Sequence, residues 1–229
     1  MNDIHLLEEK TGFNFRNKDI LQEALTHRSY LNENPSWHLP HNERLEYLGD
    51  AVLELIVTEA LYVKYPESPE GQLTVIRAAL VNYQILGRIA DELSLGDYIF
   101  MSRGERGDSS KAREVILANT FEALVGAMYV DQGLDSVRPF VERFVLSKTE
   151  EIVRNRSYKD AKSELQEVVQ DRFRVTPSYE VLEESGPAHD KTFRVGVFYA
   201  GEKHGEGAGK SKQEAEVEAA KFALEEYRD

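Results

Sequence analysis

From Ile4 to about Val153, apolar residues recur every three or four positions, the spacing of amphipathic helices. Asn17 or Asp19 is suited to open a helix running to Thr26, and a long helix is expected from Asn42 to the Tyr65-Pro66 break. Residues 67–71 read as a loop, 73–93 as helix, and 94–97 as a break. Residues 103–110 are polar and Gly-containing, hence a loop, while 114–130 and 136–154 read as helices. No strand is expected before residue 150. After that the period changes. Residues 160–173 are helical, 178–184 and 191–199 alternate as strands with Val181, Phe193, Val195 and Val197 prominent, and 200–203 make a hairpin turn into a short third strand. Residues 211–227 close the chain as a helix. The expected organisation is an all-α domain over residues 1–154, a short charged linker at 155–158, and a small α+β domain of order α-β-β-β-α over 159–229.

Two helices break the usual pattern. In NERLEYLGDAVLELI, residues 42–56, Glu43, Glu46 and Asp50 fall within an arc of about 60° at helical spacing, with Leu45, Leu48, Val52 and Leu55 opposite. Like charges at these spacings repel, Glu54 adds a fourth, and no Lys or Arg follows at a relieving position. In ILANTFEALVGAMYV, residues 116–130, the helix is apolar nearly all round yet carries Glu122, with Asn119 on the same side. Taken singly, the first helix is a solvated polar face, and Glu122 sits in a buried salt bridge or a polar dimer seam. Taken together, two helices that turn carboxylates toward each other need a cation between them. The donors on offer are oxygens. The chain has no Cys, no His-Glu-x-x-His, and no His three residues after a Glu, so zinc and di-iron sites do not fit. Hard oxygen ligands suit Mg2+, with Mn2+ as a substitute, and such a centre points to phosphate chemistry.

Composition qualifies this picture. The 229 residues are 41% hydrophobic and 30% charged, the profile of a globular protein. Absence of Cys suits a reducing compartment, the N-terminal MNDIHLLEEK has no apolar core of signal-peptide length, and no run of about 18 apolar residues occurs, so a cytoplasmic location without membrane contact is expected. The net charge of −13 opposes polyanion binding. Even residues 157–229, with 11 basic and 16 acidic side chains, are net negative. Local basic patches acting within a screening length of about 8 Å, and a metal ion, are the means by which such a chain could hold a polyanion.

The segment NERLEYLGDAVL at residues 42–53 resembles the signature of ribonuclease III, and LTHRSY (25–30), EG (70–71) and FEAL (121–124) match further family segments in the same order. Residues 159–229 resemble a double-stranded RNA-binding domain through AKSELQEVVQ, GPAHDKTF and GAGKSKQEAEVEAA. The resemblance spans essentially the whole chain. It implies a homodimeric, Mg2+-dependent endonuclease that cuts both strands of duplex RNA, leaving 5′-phosphates and short 3′ overhangs, in processing of ribosomal and messenger RNA. By motif, Glu46, Asp50 and Glu122 would be metal ligands, Glu43 and Glu70 would line the same valley, Gly49 would permit close helix approach, and part of the signature helix would pack against its own copy. One position departs: the family usually has Asp where this chain has Asn119, which offers a neutral oxygen and one charge fewer. A natural tolerated variant, an introduced substitution, and a chain that binds duplex RNA without cutting it are the three explanations. In the second domain, Gln166, Pro187, His189, Lys210, Ser211 and Lys212 are the expected RNA contacts, Ser211 and Glu214 form a capping box, and the glycines before them would let backbone approach a phosphate. Gln213, where a second Lys is common, weakens the expected phosphate grip.

Overall fold

The helical period of the first two-thirds of the chain is realised as α1 (Ile4–Thr11), α2 (Lys18–Ala24), α3 (Arg28–Glu33), α4 (Glu43–Lys64), α5 (Glu70–Leu80), α6 (Tyr83–Glu92), α7 (Arg103–Arg106), α8 (Lys111–Gln132), α9 (Leu134–Phe144) and α10 (Thr149–Arg154). The change of period yields α11 (Ala161–Phe173), β1 (Ser178–Ser185), β2 (Thr192–Tyr199), β3 (Glu202–Gly209) and α12 (Lys212–Glu225). This computed structural model describes residues 4–106, 111–154, 161–187 and 191–227. Its contacts divide the chain into two units, residues 1–158 and 159–229. The expected linker at 155–158 lies outside the described residues.

Polar side chains cut the helices more finely than periodicity suggests. The expected helix over 73–93 is two helices, because Asn82 turns its side-chain oxygen to the Ile85 N–H at 2.9 Å and caps α6. The stretch 136–154 is interrupted by a tight turn at Leu146–Lys148, where Thr149 Oγ1 donates to the Leu146 carbonyl at 2.6 Å. Part of the expected loop over 103–110 forms the single-turn α7. Among the described residues the first unit has no strand; one parallel bridge, Thr26 to Phe100, ties two loops together.

The core of the first unit forms around α8, which packs chiefly against α4 and α6 and buries Phe121, Ala123, Leu124, Val125 and Met128 completely. At the N-terminal end Glu8, only 3% exposed, accepts from the Phe15 N–H at 2.7 Å and from Lys18 Nζ at 2.5 Å. Burial draws its carboxyl up, but Lys18, the Phe15 amide and His5 together hold it below the ordinary range.

In the second unit the strands run antiparallel in the order β1-β2-β3, with Ala200 and Gly201 at positive φ in the hairpin turn. Val195 and Val197 on β2, with Leu165 and Val169 on α11 and Ala215, Ala219, Ala220 and Ala223 on α12, are fully buried. Val181 is not part of this core: it is 41% exposed on the edge strand β1. The glycines ahead of α12 also serve packing. A Cβ on Gly207 would lie 2.2 Å from the Ala219 N, and one on Gly209 would lie 2.5 Å from Glu214 Cβ. Their absent side chains let β3 lie against α12.

Candidate functional site

The site starts where α4 is pinned. The Asn42 N–H donates to the Thr26 carbonyl at 2.9 Å, and its side-chain amide donates to the Ala24 carbonyl at 3.3 Å. Asn42 therefore anchors the loop and makes no side-chain cap for α4. Glu43 and Glu46 occupy the first turn of α4, and Asp50 follows one turn later. Along the same face come Leu53, Val57 and Leu61, none more than 2% exposed. The acidic stripe thus runs into a helix–helix seam, with Glu43 and Asp50 exposed and Glu46 half-buried at its open end.

The partner across the seam is α8. A Cβ built on Gly49 would stand 1.8 Å from the Glu122 carbonyl oxygen, and one on Gly126 would stand 2.2 Å from that of Leu45. The two helices cross backbone to backbone, and Gly49 permits the approach expected of it. This crossing brings the Glu122 carboxyl to Asp50 and Glu46. Burial, then the charge of Asp50, then that of Glu46, push its pKa up to about 8. Glu46 is raised by burial, by Glu43 and by Asp50, and the Asn119 amide opposes this by hydrogen bonding to its charged form. No cation among the described residues forms an ion pair with Glu122, which sets aside the buried salt bridge.

The donor set of three carboxylates and one amide oxygen fits a hard divalent cation. Among the described residues, no three Asp, Glu or His side chains are drawn in closely enough to form a ligand sphere. Glu70 plays no part in these interactions. It is exposed at the start of α5, and its carboxylate accepts from Thr74 Oγ1 at 3.0 Å.

In the second unit, Ser211 caps α12: its hydroxyl accepts from the Glu214 N–H at 3.1 Å, and Glu214 accepts from the Lys210 N–H at 2.7 Å. Lys212 is not free of partners. Its Nζ lies 3.4 Å from Glu184 and 5.7 Å from the Phe193 ring centroid. Lys191 and then Lys212 hold the Glu184 carboxyl below its ordinary range. Gln166 is exposed on α11, and Pro187 follows β1. His189 lies outside the described residues.

Sequence reasoning missed two features of α4. Tyr47 is 83% exposed, Leu55 48% and Tyr62 73%, and they fall on one stripe between the acidic and apolar faces. Leu55, expected on the apolar back, belongs to this stripe. Their helical spacing was readable; only burial separates an exposed apolar stripe from a core one. The second feature is at Glu43, whose carboxylate is flanked by Arg28 and His41. The positive charge that Glu43 lacks within α4 comes from Arg28 at the start of α3.

Comparison with known proteins agrees with this division. Residues 17–149 match the family model described as Ribonuclease-III-like, and residues 161–227 match the double-stranded RNA binding motif. The chain is 46% identical over 219 residues to Ribonuclease 3 of Desulforamulus reducens, covering 96% of this chain and 89% of that protein. It is 45% identical over 222 residues to Ribonuclease 3 of Geobacillus kaustophilus, covering 97% and 90% respectively. Among solved structures, a nuclease domain of ribonuclease III from Campylobacter jejuni, described for flexibility in its dimer-forming region, aligns with a TM-score of 0.58 at 39% identity. It covers 63% of this chain and 97% of that one.

Proposed function

The chain belongs to the ribonuclease III family, and from that premise we propose that it is a divalent-metal-dependent endoribonuclease that hydrolyses both strands of double-stranded RNA. Glu122 carries this reading: an acid of pKa about 8, beside Asp50 and Glu46 and without a cationic partner among the described residues, is placed to exchange its proton for a metal ion. Glu46, Asp50 and Glu122 would hold Mg2+, or Mn2+ in its place, with the Asn119 oxygen as a neutral fourth donor. A bound divalent cation supplies Lewis acidity for activating water and offsets the charge that builds on phosphate oxygens during hydrolysis. The protein's own residues do the rest. The α4–α8 crossing half-buries Glu122, the Asn119 amide favours the charged form of Glu46, and Glu43 stands exposed at the open end of the seam. Glu70 is assigned the same valley by family resemblance. In the second domain, Lys210, Ser211 and Lys212 at the start of α12, with Gln166, Pro187 and His189, would grip a duplex across its minor groove by shape.

The products assigned to this reaction are 5′-phosphate ends with short 3′ overhangs, and the setting is ribosomal and messenger RNA processing in the cytoplasm; among the described residues no helix is long and apolar enough to cross a membrane. Incubation of end-labelled duplex RNA with the protein tests the reaction. Cleavage with Mg2+, none with EDTA, and 5′-phosphates at the new ends are expected. Binding without cutting under all metals would favour the alternative, a non-cleaving duplex-RNA binder with a weakened metal site at Asn119.

Asn119→Asp restores a charge to the donor set. It should lower the Mg2+ concentration for half-maximal cleavage by about 10-fold, the scale on which metal-site partners act. An unaltered Mg2+ requirement removes residue 119 from the ligand set.

The protein acts as a homodimer, and the Tyr47–Leu55–Tyr62 stripe supplies an apolar surface for the partner copy. Tyr47→Asp should weaken dimerisation by about 2 kcal/mol or more, as expected for a buried aromatic anchor. Sedimentation over a concentration series measures it, and an unchanged monomer–dimer midpoint would place the seam elsewhere.

A further inference from the structure

We propose that Arg28 and His41 form a phosphate-holding pair at the mouth of the carboxylate seam, with Glu43 occupying in the RNA-free protein the place that a backbone phosphate of the duplex takes in the complex. The inference rests on the reading of this seam as one that receives duplex RNA. Arg28 Nη1 lies 3.6 Å from one oxygen of Glu43, and His41 Nδ1 lies 3.8 Å from the other. A guanidinium and an imidazole addressing the two oxygens of one anion is also the arrangement that suits the two non-bridging oxygens of a phosphodiester. Both separations exceed the roughly 2.8 Å of a charge-assisted hydrogen bond, so neither side chain is tightly committed. Arg28 is 72% exposed and His41 37%, and an exposed pair of this kind contributes about 0–1 kcal/mol. His41 Nδ1 is itself buried in the RNA-free protein, on the Glu43 side, and makes no hydrogen bond there. A phosphate can therefore displace Glu43 at little cost.

The pair is held in place from below. Arg28 opens α3 and His41 precedes α4, so they arrive from different segments. The Asn42 N–H to Thr26, the His27 N–H to Phe100 at 2.9 Å, and the Thr26–Phe100 bridge join those segments. Ser29 Oγ lies 2.8 Å from His27 Nδ1 and accepts from the Ser102 N–H at 3.0 Å. His27, Arg44, Glu23, Glu46 and Glu105 are further charged or titratable groups acting on this cluster among the described residues. The need for such a pair follows from charge. A chain of net charge −13, with Glu46, Asp50 and Glu122 in the seam, repels a polyanion unless cations stand at the point of approach.

The test uses full-length protein and a fluorescently labelled RNA duplex of about 30 base pairs, enough for a domain that spans roughly 16. Binding is measured by anisotropy in EDTA across a salt series. Arg28→Ala and His41→Gln should each raise Kd about 10-fold and make the salt dependence shallower by about one phosphate contact. Arg28→Lys should keep the wild-type slope, whereas a merely structural role for Arg28 would leave the slope unchanged in Arg28→Ala as well. Glu43→Gln should tighten this metal-free binding about threefold in the wild-type background and leave it unchanged in the Arg28→Ala background, because the gain comes from releasing Arg28. Wild-type slopes in both Arg28→Ala and His41→Gln, while the wild-type protein binds and cuts duplex RNA, overturn the pair alone. A wild-type protein that neither binds nor cuts overturns the endoribonuclease reading, and the pair with it.

Discussion

Glu122→Gln is expected to cut duplex-RNA cleavage by about a thousand-fold while making the metal-free protein more stable. The loss follows from removing a charged donor in a preorganised site, where a single group supplies several kcal/mol to the transition state. The gain follows from proton linkage. The Glu122 carboxyl has a pKa of about 8 in the folded chain against 4.5 for the unperturbed group. Between those values the folded state binds the extra proton and the unfolded state does not. Stability therefore falls as pH rises through this window, and Glu122 destabilises the metal-free fold most above about pH 8. Water reaching a partly exposed side chain, and movement of Asp50, reduce the effect to about 2 kcal/mol. Glutamine has no charge to lose and does not incur this penalty. Thermal unfolding in EDTA should show the two proteins alike near pH 4.5, with the variant melting about 6 °C higher at pH 8. Adding Mg2+ should raise the wild-type midpoint and not that of the variant. A variant less stable than wild type at pH 8 in EDTA would show that Glu122 is satisfied by a partner in the fold and is not held for a cation.

Gly49→Ala should be the most damaging single methyl in the nuclease domain. The added carbon would meet the Glu122 carbonyl oxygen at 1.8 Å, its carbonyl carbon at 2.7 Å and the Gly126 nitrogen at 2.8 Å. All three are backbone atoms of α8, so no side chain can swing aside; one helix must move. Overpacking of this kind costs about 4 kcal/mol, at the upper end for a single substitution. The same displacement shifts Glu122 relative to Asp50 and Glu46, and a misplacement of about 1 Å is enough to lose roughly a hundred-fold in rate. Chemical denaturation and single-turnover cleavage report the two consequences separately. Gly71→Ala is the control: a Cβ there meets nothing within 4 Å, and an Ala in the first turn of α5 should be neutral or slightly stabilising. Equal midpoints for wild type and Gly49→Ala would mean that the two helices do not cross as closely as described.

Much of this was legible in the chain as a string. The helical period up to residue 154 and the alternation after it specified an all-helical domain followed by an α+β one. The acidic spacing of Glu43, Glu46 and Asp50, and a lone Glu122 in an apolar helix, marked the candidate site because local charge and hydrophobicity patterns are properties of neighbouring residues. Ser211 and Glu214 announced their capping box for the same reason.

Tertiary structure decided what depends on residues far apart in sequence. Whether the acidic face of α4 meets water or α8 could not be read from a helical wheel, which gives angles within one helix and nothing about its neighbour. Val181 alternated like a core residue but lies on an edge strand, and the packing of Gly207 and Gly209 against α12 was not visible in the string. Glu43 had no counter-charge within its own helix and receives one from Arg28 at the start of α3, with His41 on its other side, across segments joined by the Thr26–Phe100 bridge. The physical reason is common to all of these: periodicity and composition are sums over adjacent residues, whereas burial, pKa and charge pairing are set by whichever distant segment packs alongside.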